Sequence, residues 1–311
     1  MKHIRYILLF AMLTMSYTLS AQRDLTAQEM VQSDSRFSIY EGVYIFEPVW
    51  FRHNFKSKET EVDRSWLRIT YEASVVENPE SGEKYKDRMI VLVGDSWYKS
   101  YGETTWKCIK WGGANPDNKL YEPEKGYEET LPHAVHRDLK SKTIINRGIF
   151  PELTGVIFCY DEAQPAFKWN ISDEMKDIEG FLCQKATTEY KGREWTVWFT
   201  PEIAVDCGLW KFSGLPGLIL EAHDGKEEYY FKLESIEQKE EAIPWYNTDK
   251  EKKMSRSEFR KQEVRMYDNP ILYGKGPDGY KSIFSERRNL DLYTLFTPGH
   301  FKYAYNPMDL E

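Results

Sequence analysis

Phe212-Ser213-Gly214-Leu215-Pro216-Gly217-Leu218-Ile219-Leu220-Glu221 is the stretch on which the fold turns. Proline followed by glycine in Leu215-Pro216-Gly217-Leu218 suits a type II turn, because the ring presets φ near −65° and glycine takes the positive φ that follows. Behind it, Leu218-Ile219-Leu220-Glu221-Ala222-His223 reads as a strand. In front, Leu209-Trp210-Lys211-Phe212 alternates apolar with polar like another. A corner between two strands predicts neighbouring β ribbons, and nothing in the stretch is a nucleophile, a metal cage or a phosphate loop.

Working outward, the same signals recur. Trp66 to Ala73 alternates through Leu67, Ile69 and Tyr71. Met89 to Val93 is a short apolar run of the buried-strand kind. Further strands are predicted from Phe37, at Thr143 to Asn146, Gly155 to Tyr160, Ala166 to Ile171, Gly180 to Thr188, Trp195 to Phe199 and Tyr229 to Ile236. Turns fall at Asn78 to Gly82, Lys191-Gly192 and Asp224-Gly225. Short turns between successive strands imply an antiparallel meander, since parallel pairs need long crossovers. The predicted fold class is therefore mainly β, a curved antiparallel sheet or half-barrel around an apolar or aromatic concavity, with short helical pieces late in the chain. One such piece is capped by Ser255 and Glu258 and runs from Phe259 to Tyr267, before Asn269-Pro270. Residues 112–137, dense in Gly, Pro, Asn and acids, read as a long loop, and residues 297–311 as a docked tail.

Met1 to Ala21 has a cationic start at Lys2 and Arg5, an apolar run and small residues at Ser20-Ala21, which predicts a cleaved export leader. Residues 22–311 then form a single β-rich domain with no transmembrane span. The net charge of −8 becomes more negative when the leader's cations are lost, which argues against a nucleic-acid partner. Ten tryptophans and 21 tyrosines favour strands and cross-strand pairs. In an oxidising compartment Cys108, Cys159, Cys183 and Cys207 are expected as structural disulfides or buried free thiols. Four cysteines allow three connectivities, and a hairpin at Lys191-Gly192, which would set Cys183 opposite Thr200, speaks against Cys183 pairing with Cys207.

Several segments together resemble the GLPGLI family, extracytoplasmic proteins of Bacteroidetes without an assigned biochemical role. Gly214-Leu215-Pro216-Gly217-Leu218-Ile219 spells its name. Gly180-Phe181-Leu182-Cys183-Gln184-Lys185-Ala186 is similar to its G-Y-x-C-x-K-A segment, and Gly192-Arg193 through Thr200-Pro201 to its G-R to T-P segment. Met89 to Gly94 and Tyr305-Asn306-Pro307-Met308-Asp309-Leu310 resemble its upstream strand and its terminus. Cys207-Gly208-Leu209-Trp210 departs from the more usual S-D-G-P-W. The resemblance implies an exported protein of the periplasm or outer membrane, and these motif residues are expected to be structural, as turns and strands.

Chemistry is sparsely signalled. Glu221 and His223 share one face of a strand and could serve as base and orienter, though the wet face of a half-buried sheet is the favoured account of them. Asp161 is a further acid, beside Glu162. His133 and His136 stand three apart, but Pro132 and the lack of a third ligand favour solvated loop histidines over a metal site. Ser213-Gly214 lacks the G-x-S-x-G elbow, and Gly274 to Gly279 lacks the strand and helix of a nucleotide loop. No cofactor is indicated. The expected function is a non-enzymatic binding or accessory protein whose partner is a hydrophobic ligand or an envelope protein; the alternative is an extracytoplasmic hydrolase of glycans or peptides using Glu221, His223 and Asp161.

Overall fold

The computed structural model describes residues 58–114, 124–128, 130–149, 157–206, 208–247, 251–268 and 305–311, with the backbone of 37–40, 43–46 and 301–303. The leader, Cys207 and the glycine-rich stretch at 274–279 lie outside the described residues. The chain divides into two compact units, residues 1–48 with 265–304, and residues 49–264 with 305–311. In the first, β1 (Phe37–Tyr40) and β2 (Val43–Phe46) form a hairpin, and β15 (Phe301–Tyr303) runs parallel to β2.

The second unit is one twelve-stranded sheet. Its strands are β3 (Lys58–Val76), β4 (Lys84–Gly94), β5 (Trp97–Gly102), β6 (His133–Asp138), β7 (Thr143–Ile149), β8 (Ile157–Ala163), β9 (Asn170–Ile178), β10 (Phe181–Tyr190), β11 (Arg193–Thr200), β12 (Leu218–Asp224), β13 (Tyr229–Asn247) and β14 (Glu251–Lys253). Their order is β14-β8-β7-β6-β5-β4-β3-β13-β12-β11-β10-β9. The chain thus lays down one meander from β3 to β8 and a second from β9 to β13, and the two join where β13 pairs with β3. All pairs are antiparallel except β14 on β8. The fold is mainly β as expected, with helix α2 (Arg256–Asp268) late in the chain and one unforeseen helix, α1 (Glu103–Ala114). The Ser255 hydroxyl accepts from the Glu258 amide at 3.2 Å, the capping bond read from the sequence, while the Glu258 carboxylate takes the Gln262 amide instead.

The sheet curls around its own chain. Residues 201–217, between β11 and β12, are not strands but an irregular plug carrying Leu209, Trp210, Phe212 and Leu215 into the main hydrophobic core. Nine strand spacings separate β8 from β10, about 43 Å on a flat sheet. Even so, Lys211 Nζ lies 3.2 Å from the Tyr160 hydroxyl of β8, and the neighbouring Trp210 ring sits 5.7 Å from the Tyr190 ring of β10. A buried irregular segment needs donors for its carbonyls. Tyr98 donates to the carbonyl of Gly208, Arg137 to those of Asp206 and Phe212, and Trp169 to that of Ser213. The apolar or aromatic concavity anticipated from the sequence is therefore filled.

Three further expectations change. Leu209 to Phe212 is a buried turn rather than a strand, with all four side chains inside. Gly217 does not take positive φ; that role falls to Gly214 at +89°. Glycine is needed at 217 because a Cβ there would stand 2.0 Å from the Thr200 carbonyl oxygen. The constraint at the Pro216-Gly217 bend is close approach of two backbones, not turn type. Likewise the β12–β13 hairpin spans four residues with positive φ at Glu227, so Asp224-Gly225 is not a two-residue turn. Glu179-Gly180 and Lys191-Gly192 do form two-residue loops with both φ positive.

Cys159 and Cys183 are buried free thiols, Cys108 is buried, and no disulfide joins the described cysteines. Among the described residues no helix is long and apolar enough to cross a membrane.

Candidate ligand recess

Strands β4 to β6 are buried on both faces, which removes the usual half-wet alternation. On β4, Met89, Val91 and Val93 enter the main core while Ile90 and Leu92 pack with Tyr101 and Ile243 behind it. The same alternation on β5 sends Tyr98 and Ser100 to the plug and Lys99 and Tyr101 to the opposite face. There, Lys99 is paired in register with His136 of β6, and Arg147 of β7 lies opposite Ala134. Helix α1 and the far end of β13 complete the walls with Trp106 and Tyr246, whose rings stand 3.9 Å apart.

The result is a small, half-open recess with a cavity volume of about 40 Å³, room for a few waters. Lys99 is 1% exposed; its Nζ donates to the Pro244 carbonyl at 2.8 Å and lies 4.1 Å from the Trp106 ring centre and 4.7 Å from that of Tyr101. His136 is 1% exposed and stacks obliquely on Trp245 at 4.6 Å. The Arg147 guanidinium lies over the same Trp245 ring at 4.4 Å, bonds the Tyr246 carbonyl and the Glu251 carboxylate, and leaves Nε unpartnered. The Tyr246 hydroxyl is also buried without a partner.

Burial pushes Lys99 well below its ordinary pKa, the Arg147 charge adds to this, and Glu59 opposes it. Burial also lowers His136 strongly, joined by the charges of Lys99 and Arg147, against a weaker opposite pull from the Pro244 carbonyl. Burial raises the Tyr101 and Tyr246 phenols well above the usual range. At the rim, His133 donates to Glu263 of α2 at 3.2 Å. Burial would raise that carboxylate, yet hydrogen bonds from His133 and Tyr305 and the charges of His133 and Arg260 hold it below its ordinary value.

The histidine reading is thus corrected. His133 and His136 belong to a strand, and His136 is buried among aromatic rings rather than solvated in a loop. Among the described residues no cluster of His, Cys, Asp and Glu could hold a metal ion. Glu221 and His223 do share a sheet face, but Glu221 is only 4% exposed, because Lys176 reaches both its oxygens at 2.8 Å. His223 stacks on Tyr230. Asp161 lies on β8, seven strands away from β12, and is paired with Lys253. The three are not assembled. Glu162, next to Asp161, binds Lys211 at 2.8 Å. Ser213 is buried and its carbonyl is engaged.

The motif residues hold the architecture. Arg193 is buried between Asp224 at 2.7 Å and Glu228 at 2.8 Å and donates to the Pro307 carbonyl, fixing the 305–311 tail. Gly180 and Gly192 serve hairpins, Thr200 and Pro201 abut Gly217, and Cys183 is fully buried. Sequence reasoning missed Lys99, Arg147, Trp106 and Tyr246. The one available signal was the run Trp97-Tyr98-Lys99-Ser100-Tyr101, a lysine set between aromatics next to a buried strand.

Helix α1 forms one wall and begins on a remote cap. The Asp87 carboxylate of β4 accepts from the amides of Thr104 at 3.3 Å and Arg88 at 2.7 Å. Burial pushes it up to about 7, against those hydrogen bonds. Its pKa is higher folded than unfolded, so the folded state holds the proton more tightly. Stability is unaffected below pH 4, falls between pH 4 and 7, and carries the full cost of about 4 kcal/mol above pH 7. Asp87→Asn should be more stable than the parent by about 2–4 kcal/mol at pH 8.5, the gap closing toward pH 4. Urea unfolding of both proteins across this range tests it; a gap independent of pH would contradict the assignment.

No family model matches the chain, and no curated protein matches it. Two solved structures of PNGF-II, in space groups P21 and C2, are similar over 66% of this chain, each at 12% identity, with TM-scores of 0.46 and 0.45. The chain spans about a third of the length of those proteins, covering 34% of each.

Proposed function

We propose that this is an exported protein of the GLPGLI type, working in the periplasm or at the outer membrane as a non-enzymatic binding protein whose ligand seats in the recess beside Lys99. The observation that carries the reading is a half-open recess, walled by Trp106, Tyr101 and Tyr246, onto which buried polar atoms of Arg147 and Tyr246 bring unused hydrogen-bonding capacity. Buried polar groups are normally satisfied, and unsatisfied ones gathered in one cavity are accounted for by a ligand. The aromatic composition, read mainly as core and cross-strand pairs, here also supplies ligand-facing surface. Export rests on the leader reading of Met1 to Ala21, and the family on the motifs from Gly180 to Ile219. Glu221 and Asp161 are each held by a lysine of their own, which gives the hydrolase alternative no support.

Protein taken from the cell envelope under native conditions and measured intact by mass spectrometry should carry a small molecule in stoichiometric amount. Trp106→Ala should lose it while retaining the fold by circular dichroism. Envelope protein with nothing bound, or a ligand retained unchanged by Trp106→Ala, would refute the placement.

A further inference from the structure

We infer that the sheet edge at β9 docks an extended segment of a partner protein, one that lays apolar side chains on Met175 and Leu182 and basic ones beside Asp177 and Glu202. Core rows of the sheet run out into solvent here. Ala222, Val197 and Ala186 are successive cross-strand partners, all fully buried, and the next residue in that row is Ile171 of β9, 45% exposed. The neighbouring row passes from buried Phe199 through Gln184 to Met175, 49% exposed. Leu182, diagonal to Met175 on the same face, is 53% exposed. Three of the six large apolar side chains exposed among the described residues therefore share one face of one corner. Scattered singly they would need no explanation; gathered at a sheet edge they mark a contact surface.

The edge itself is open. Strand β9 comes last in the order, so among the described strands nothing pairs with its outer side. Such an edge offers main-chain donors and acceptors to an incoming extended chain. Between Ile171 and Met175 the register with β10 is broken, which leaves Met175 to Ile178 as the regular stretch for pairing.

Charge selects the occupant. Lys176 is held by both Glu221 oxygens at 2.8 Å, and Lys185 by Glu174 at 3.0 Å. Asp173, Asp177 and Glu202 have no cationic partner among the described residues; Asp177 accepts from the Gly180 amide at 3.2 Å and Glu202 from that of Leu182 at 3.1 Å. A second copy pairing β9 with itself would bring these acids together, and a bilayer surface of anionic headgroups would meet the same repulsion. Lysine or arginine on an incoming segment meets the acids instead.

The test uses the full chain and two fluorescein-labelled hexapeptides, acetyl-Arg-Val-Arg-Leu-Arg-Val-amide and the same sequence with Glu for Arg, titrated by anisotropy at low and high salt. The arginine peptide should bind about tenfold more tightly than the glutamate peptide, and less tightly as salt rises. Met175→Ser and Leu182→Ser should each weaken it about fivefold with the unfolding midpoint unchanged, since both side chains are exposed. Asp177→Asn should weaken it and flatten its salt dependence, while Glu80→Gln, an exposed acid in the β3–β4 turn, should change nothing. No binding of the arginine peptide, equal binding of the two peptides, or a loss with Glu80→Gln as large as with Asp177→Asn would overturn the inference. So would a dimer in sedimentation velocity that Met175→Ser abolishes, which gives the face to a second copy, or flotation with phosphatidylglycerol vesicles that the same variant abolishes, which gives it to a lipid surface.

Discussion

Arg193→Met should lower folding stability by about 3–5 kcal/mol, the larger part of what a domain of this kind usually has to lose. The guanidinium is buried, with Asp224 at 2.7 Å and Glu228 at 2.8 Å on the same Nη1. Methionine matches the stem but removes the charge, leaving two carboxylates facing each other away from water. The tail then loses its anchor as well, since Arg193 Nε and Nη2 donate to the Pro307 carbonyl at 3.1 and 2.9 Å. Arg193→Lys keeps a charge but not the planar fork, so it should recover only part of the loss. Urea midpoints at pH 7 measure both, and a shift below 1 kcal/mol for Arg193→Met would mean that the cluster is not what holds this corner together.

Trp210→Ala should cost a similar 3–5 kcal/mol, for a different reason. The indole packs 5.7 Å from Trp195, 5.7 Å from Tyr190 and 5.3 Å from Phe212, all within the curl of the sheet. Its backbone amide also bonds Ser100 at 3.1 Å, so the plug is pinned and cannot collapse into the void. The variant should therefore bind a hydrophobic dye in the inner face that the parent does not. Equal dye binding by both proteins would show that the inner face was open to begin with.

Much of the sheet was legible. Leu67, Ile69 and Tyr71 alternate into the core as read, Met89 to Val93 is a buried strand, and Lys191-Gly192 turns where its residue types require. Two of the failures have local causes. Helix α1 follows Tyr101-Gly102, which supplies no cap; the cap is Asp87, distant in sequence and recruited only by the pairing of β4 with β5. Strand β6 reads His-Ala-Val-His-Arg-Asp, a polar string that looks like loop. It is a strand because each face offers its polar groups something specific, aromatic rings for His136 and plug carbonyls for Arg137. The recess inherits that illegibility, since Lys99 and Arg147 come from strands whose patterns announce only burial. The motif stretch was read correctly as architecture but for the wrong reason, because Gly217 answers to the Thr200 carbonyl and not to its own φ.

The seam between β3 and β13 pairs Val75 with Tyr229 and Thr60 with Trp245, residues far apart along the chain, and it is the join on which the whole second unit depends. Contacts of such sequence separation form late, since a long loop must be closed before they reward it. Until then each meander shows an unpaired edge and an unfilled hollow, the state in which β proteins are most exposed to association. The plug, tethered between β11 and β12, must be in place before the curl can tighten over it. Assembly of this molecule is therefore ordered in time, with the polypeptide wrapping last around a piece of itself.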